Sequence, residues 1–305
     1  MRIVLRESGG LGNQLFQYAA LRYYAKRYAA EMHVAVDPAW NALSHGFPRP
    51  CLLQHFSIPV PMEERSLCDR IFLSEKPWLV LASAPFRKIF RIHSFNEPAK
   101  DLYRFLRDLP IPAGLRTLYL GGYYENNLMV EEVSELLRQD LTFKQPPEGK
   151  TLEVMEKIRQ SETPVSIHVR RGDATLPVEG KVVLQTGYYA NAIALIKERC
   201  SNPKFFVFSD DIPFVKENLP LDSSTVFVDH NDAFTAHDDL RLMSSCHSHI
   251  IANSTFSWWG AWLNPRLDKT VISPRHWWLW KDNYYPELFP RDWILDDFVP
   301  IETFA

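Results

Sequence analysis

The sequence predicts an α/β protein of two domains, each built on a parallel sheet. Three observations carry that expectation. From Val165 onward, short apolar strands alternate with helical patterns, and strands joined through helices pair in parallel. The chain also opens on a strand, a glycine turn and a helix, "RIVLRESGGLGNQLFQYAAL". Between these regions, "TFKQPPEGK" brings together two prolines, a glycine and charges, the composition of a linker near residues 143–150. The expected domains are therefore 1–145 and 146–305, with ligands at the carboxyl ends of strands.

The elements follow in order. "RIVLR" reads as the first strand and "SGGLGNQ" as a turn; from Asn13, residues Leu15, Phe16, Ala19, Ala20, Tyr23 and Tyr24 recur at helical spacing. "MHVAV" is a second strand. From Asp37 to about Lys100, proline and aromatics dominate with weak periodicity, which predicts short helices and irregular packing. "TLYLGGYYE" reads as a strand and "NNLMVEEVSELLRQDL" as one amphipathic helix. Beyond the linker, "VSIHV", "KFFVFS", "TVFVD", "HIIAN" and "TVISP" are strands. They alternate with helices at "YYANAIALIKERC", near Pro213–Asn218, at "FTAHDDLRLMSSC" and at "FSWWGAWL".

Composition bounds the function. With 305 residues, 46% hydrophobic and 23% charged, the chain can bury a large core. A net charge of −3 gives no long-range attraction to nucleic acid. Four scattered cysteines without a CxxC pair suit reduced thiols and a cytoplasmic setting. The amino terminus enters a strand pattern without a signal-peptide core, and no apolar run approaches the roughly 18 residues that span a bilayer.

Several clusters could carry chemistry. Gly10, Gly12 and Asn13 lie between a strand and a helix start, where backbone N–H groups can meet a phosphate. Leu15 stands where the third glycine of a dinucleotide fingerprint would be, and an ordinary tight turn explains the segment equally. "SIHVRRGDA" ends an apolar strand in Arg170 and Arg171, followed by Gly172 and Asp173. Strands end at surfaces, where arginines are common, but a guanidinium also offers planar donors that match phosphate oxygens. Asp210 and Asp211 can cap a helix or ligate a metal; Asp238 and Asp239 can cap one or accept from the N1–H and N2–H of guanine. Asn253, Ser254, Thr255 and Ser257 surround a helix start near Phe256, as a cap or as a second anion cradle. Trp258 and Trp259 suit a core or a sugar-stacking surface. His247 and His249 point to opposite faces of a strand, a poor chelating pair, and no D-x-D sequence is present to anchor a divalent cation.

Three stretches in order, "GGLGNQLFQYAAL", "IHVRRGD" and "HIIANSTFSWWGAWLNP", resemble the bacterial α-1,2-fucosyltransferases of glycosyltransferase family 11. "GGYYENNLMVEEVSELLRQDLTF" and "VISPRHWW…YPELFPRDWI" extend the similarity over most of the chain except residues 37–100. The resemblance implies a GT-B-like pair of Rossmann-type domains with parallel sheets facing across a cleft. It places the acceptor on the first domain and GDP-fucose on the second, whose tail is expected to pack back on the first. It further implies inverting transfer to the 2-hydroxyl of a terminal β-galactosyl glycan, with no cofactor and no required metal.

Carried over by position, Arg170 matches the arginine on the donor β-phosphate and His168 the histidine near the guanosine. Asp239 matches the carboxylate that reads guanine, with Asp238 its rival because the match needs a small gap. Ser254, Thr255, Phe256 and Ser257 match the loop closing on pyrophosphate and fucose. Gly10, Gly12, Asn13 and Asn253 complete the expected donor set, and Asp173 and Glu179 are the candidates for the acceptor's base. The expected partners are GDP-fucose and a galactose-terminated oligosaccharide or glycolipid precursor, with peripheral contact at the inner face of the membrane. A non-catalytic sugar-binding protein and a nucleotide-binding oxidoreductase are the alternatives.

Overall fold

Ile3, Val4 and Leu5 are consecutive and all buried, so the first strand, β1 (Arg2–Arg6), must be covered on both faces. A computed structural model describes residues 1–36, 48–74, 76–97, 106–172, 183–277 and 285–297. It divides into two units, Met1–Lys144 with Glu287–Phe289, and Gln145–Pro286 with Pro290–Ala305.

In the first unit β1 is central, and α1 (Leu11–Tyr28) follows it. Leu15, Phe16, Ala19, Ala20, Tyr23 and Tyr24 are buried, as are Tyr18 and Leu21, so the helix is enclosed nearly all round. The Tyr18 hydroxyl donates to Asp140 at 2.6 Å and Arg22 pairs with the same carboxylate at 2.8 Å. Next come β2 (Glu31–Val36), β3 (Met62–Glu64), α2 (Leu67–Phe72), α3 (Pro77–Phe90), β4 (Ile92–Asn96) and β5 (Thr117–Gly121). The sheet order is β3-β2-β1-β5-β4, parallel throughout.

Two expectations are corrected here. Within the region expected to be irregular, β3 and β4 extend the sheet and α3 runs for 14 residues. The strand β3 is "MEE", which owes its conformation to pairing with Val34–Val36 and not to any apolar alternation. The single helix expected over "NNLMVEEVSELLRQDL" is two, α4 (Asn127–Glu132) and α5 (Ser134–Asp140), separated at Val133, whose φ of −126° and ψ of 17° leave the helical region.

The second unit begins with α6 (Gly149–Arg159), a helix not foreseen beyond the linker. It continues through β6 (Thr163–Val169), α7 (Thr186–Arg199), β7 (Pro203–Ser209), α8 (Ile212–Asn218), β8 (Val226–Val228) and α9 (Ala236–Ser245). The last elements are β9 (Ser248–Ile250), α10 (Thr255–Leu263), β10 (Val271–Pro274) and β11 (Ile294–Asp296). Alternation supplies both cores: Val165, Ile167, Val169, Phe205 and Val207 pack with Tyr188, Ile193 and Ile196 of α7. Phe206, Phe208 and Val228 pack with Val154, Met155, Leu242 and Met243 on the opposite face.

The parallel order β11-β10-β9-β6-β7-β8 decides where a ligand can enter. From β6 the chain winds one way through β7 and β8, and from β9 the other way through β10 and β11. The winding reverses between β6 and β9, so the helices diverge there and leave a crevice at the carboxyl ends of those strands. Among the described residues, no helix is long and apolar enough to cross a membrane.

Candidate active site

Strand β6 brings His168 and Arg170 to that crevice. The His168 ring lies edge-on to Phe256 with centroids 5.7 Å apart, and its Nδ1 is buried without a hydrogen-bond partner. Burial, and secondarily the Arg170 charge, lower its pKa to about 3, so the imidazole is neutral at physiological pH. A buried ring nitrogen without a partner costs about 1–3 kcal/mol, which a ligand group would recover.

The adjacent arginines divide the work between them. Arg171 is a brace: its backbone N–H donates to Asp210 at 2.8 Å, its Nε lies 3.7 Å from Asp211, and its guanidinium stacks 3.7 Å over Phe214. Asp211 also caps α8 by accepting from Phe214 N at 3.1 Å. The turn after β6 is closed by Gly172, where a Cβ would fall 2.7 Å from an Asp210 oxygen. Asp210 and Asp211 are thus spent on a turn and a cap, which leaves the metal reading without support. Arg170 is half-buried.

Across the crevice, β9 leads into α10. Ser254 is its N-cap (φ −147°, ψ 124°) but makes no side-chain cap bond, while Trp258 N–H donates to Ser254 O at 3.0 Å. The amides of Thr255, Phe256 and Ser257 precede the first intrahelical bond, and the helix dipole adds partial positive charge there. Asn253 Nδ2 donates to Trp277 O at 3.3 Å and the Ser257 hydroxyl to Ser254 O at 3.3 Å. Trp258 and Trp259 are both 0% exposed, packed with Trp262, and Trp258 also meets Trp293. The sugar-stacking reading is corrected for both: they are core.

Asp239, on the first turn of α9, accepts from Asn231 Nδ2 at 2.6 Å. Burial chiefly, then the charge of Asp238, push its carboxyl up to about 7 against the Asn231 bond. Asp238 instead pairs with Arg241 at 3.4 Å, and Arg241 Nη1 donates to Gln145 O at 2.7 Å. Of the two rivals, Asp238 pairs with a cation and Asp239, among the described residues, does not. Asn231 was missed from sequence, although its place just beyond β8 follows the rule that sites gather at strand ends.

In the first unit, Gly9 takes a φ of 79° and Gly10 caps α1. The Gln14 amide donates to Gly9 O at 3.0 Å and Pro50 O at 2.8 Å; Gln17 and Ser8 exchange bonds at 3.0 and 3.1 Å. These buried glutamines explain much of the "GNQLFQ" pattern as turn support. Arg49 reaches the turn, its Nη1 3.2 Å from where a Cβ on Gly10 would stand. Gly10, Gly12 and Asn13 belong to this unit, and His168, Arg170, Asp239 and Asn253–Ser257 to the other. Asp173 and Glu179 lie outside the described residues.

His249 is satisfied on both ring nitrogens, by Ser166 and Asn264 at 2.8 Å each, and among the described residues no group of three His, Cys, Asp or Glu could hold a metal.

The model of glycosyl transferase family 11 matches residues 54–290. The chain belongs to glycosyltransferase family 11. The family enzyme is 31% identical over 304 residues to an α-1,2-colitosyltransferase of Escherichia coli, covering 96% of this chain and 98% of that one. It is 26% identical to galactoside α-(1,2)-fucosyltransferase 1 of Homo sapiens, over 84% of this chain and 64% of that protein. In fold it is similar to the α-1,6-fucosyltransferase NodZ of Bradyrhizobium, solved with GDP, at a TM-score of 0.56 and 17% identity over 90% of this chain and 94% of that one. The family enzyme is a glycosyltransferase, with two parallel-sheet α/β domains of GT-B type.

Proposed function

We propose that this glycosyltransferase moves L-fucose from GDP-β-L-fucose to the 2-hydroxyl of a terminal β-galactosyl residue, inverting the anomeric carbon to form an α-1,2 linkage. The observation that carries the reading is the crevice between β6 and β9, where the start of α10 has no side-chain cap and its Phe256 ring lies 5.7 Å from His168. The names of its relatives support the linkage and the sugar class.

Departure of GDP builds negative charge on the diphosphate and oxocarbenium character on the sugar. Arg170 and the amides of Thr255–Ser257 meet the first, in the place where other transferases use a metal ion. The neutral His168 ring and the Asp239 carboxylate hold the nucleoside, the latter by accepting from guanine N1–H and N2–H. The acceptor hydroxyl attacks from the opposite face and passes its proton to Asp173, with Glu179 the alternative base. No cofactor or metal is required on this reading, and the acceptor is a galactose-terminated oligosaccharide or glycolipid precursor in the cytoplasm.

A second donor is favoured by one observation, the 31% identity to a colitosyltransferase. Colitose is L-fucose without its 3-hydroxyl, so kcat/KM for GDP-fucose and GDP-colitose decides between them. The deciding experiment incubates each donor with a terminal galactoside and excess EDTA and fixes the product by NMR. An α-linked 6-deoxy sugar on galactose O2 is expected. A β linkage, another position, or strict dependence on added manganese or magnesium would overturn the reading.

A further inference from the structure

Helix α3 turns its polar side inward. Ser83 is buried and Arg87 half-buried: Arg87 Nε donates to the Ser83 hydroxyl at 2.9 Å and Nη2 to Phe72 O at 3.2 Å, with the guanidinium 5.2 Å from the Phe72 ring centre. The outward side is apolar. Trp78 is 62% exposed, Leu81 74%, Phe86 56% and Ile89 72%, and Leu67 on α2 is 74% exposed. Trp78, Leu81 and Ile89 are three, then eight residues apart, close to whole turns, so they share one stripe of the helix. Scattered exposed apolar residues are ordinary, but a contiguous set of this size marks an interaction surface.

Charge identifies the occupant. Between residues 70 and 91 the sequence holds Arg70, Lys76, Arg87, Lys88 and Arg91 against Glu75 alone, in a chain whose net charge is −3. Lys76, Lys88 and Arg91 are exposed beside the stripe. We propose that α3 docks on an anionic lipid bilayer, lying in the interface with its apolar stripe among the upper acyl chains and Lys76, Lys88 and Arg91 on lipid phosphates. At 14 residues the helix is too short to span the hydrocarbon, and its combination of Trp, Phe and Leu with flanking bases fits an interfacial helix. A second copy of the chain is the poorer partner, because a two-fold contact would set the same bases against themselves. Neither the donor nor the acceptor assignment enters this inference.

The full chain is tested by flotation with phosphatidylcholine vesicles, with and without phosphatidylglycerol. Binding should be at least ~10-fold stronger to the anionic vesicles and weaken as salt is raised, since each base near such a surface contributes roughly fivefold. Leu81→Glu with Ile89→Glu, and separately Lys76→Glu with Lys88→Glu, should each lose at least ~10-fold in partitioning while far-UV circular dichroism and the thermal midpoint are unchanged. All four side chains are exposed, so the variants fold. No binding by the wild type, or wild-type partitioning by either double variant, would overturn the proposal. So would a wild-type dimer without lipid affinity that Leu81→Glu with Ile89→Glu converts to a monomer.

Discussion

Asp239 is the residue whose chemistry is most open to measurement. Its pKa is raised in the folded chain, to about 7, so its contribution to stability is present at acid pH and is lost as pH rises through 7. Reading guanine requires the anion, so binding gains over the same range. GDP-fucose, a diphosphate diester with no ionisation of its own near 7, should therefore bind more tightly as pH rises from 6 to 8. Below the pKa the loss approaches tenfold per unit at about 1.4 kcal/mol. Calorimetry on Asp239→Asn should show weaker binding and no such slope; an unchanged slope assigns the proton elsewhere. Arg170→Lys keeps the charge and loses the planar fork, so turnover should fall at least ~100-fold with the fold intact. Near-normal turnover would make Arg170 an ordinary surface arginine.

At the scale of elements, α9 and α10 must approach closely for Asp239 and the Ser254–Ser257 turn to serve one nucleotide. Gly260 permits that approach: a Cβ there would stand 3.0 Å from Met243 Cβ, which the α9 backbone holds in place. Gly260→Val should destabilise the second unit by ~1–3 kcal/mol, read from the urea transition of a probe in that unit, as overpacking does, and weaken GDP binding by moving α9. Loss of stability with full GDP affinity would separate the contact from the site. Two elements of the first unit escape recognition by pattern. A helix is recognised by an apolar face turned inward, and α3 presents the reverse; a strand is recognised by alternation, and β3 has none.

For the whole molecule, two units with separate sheets and cores imply that a single unfolding free energy is the wrong quantity. Ligand protection is the better measure. At GDP one hundred times its dissociation constant, amides at the starts of α9 and α10 should exchange up to ~100-fold more slowly. Protection at Leu11–Asn13 as well would join the glycine turn to the donor site. Its absence would leave that turn to the role its glutamines already give it.

The order of strands and helices from β6 to β10 was legible because buried strands and amphipathic helices differ in period, and period is local; β11, three half-buried residues, has too short a pattern to be read and was missed. His168, whose ring meets Phe256 at the start of α10, lies in one of the ordered motifs that survive in one dimension. Other features required the third dimension. Arg170 and Arg171 are neighbours with the same chemistry, and only the fold gives Arg171 to Asp210, Asp211 and Phe214. Asp238 and Asp239 are equally alike in sequence; Asp238 meets Arg241 one helical turn on, a local pairing, and only the fold sets Asp239 against Asn231. Trp258 and Trp259 could have faced a sugar until Trp262 and Trp293 enclosed them. Residue type determines which interactions a side chain can make; which of them it makes depends on partners far away along the chain, and tertiary packing alone chooses those.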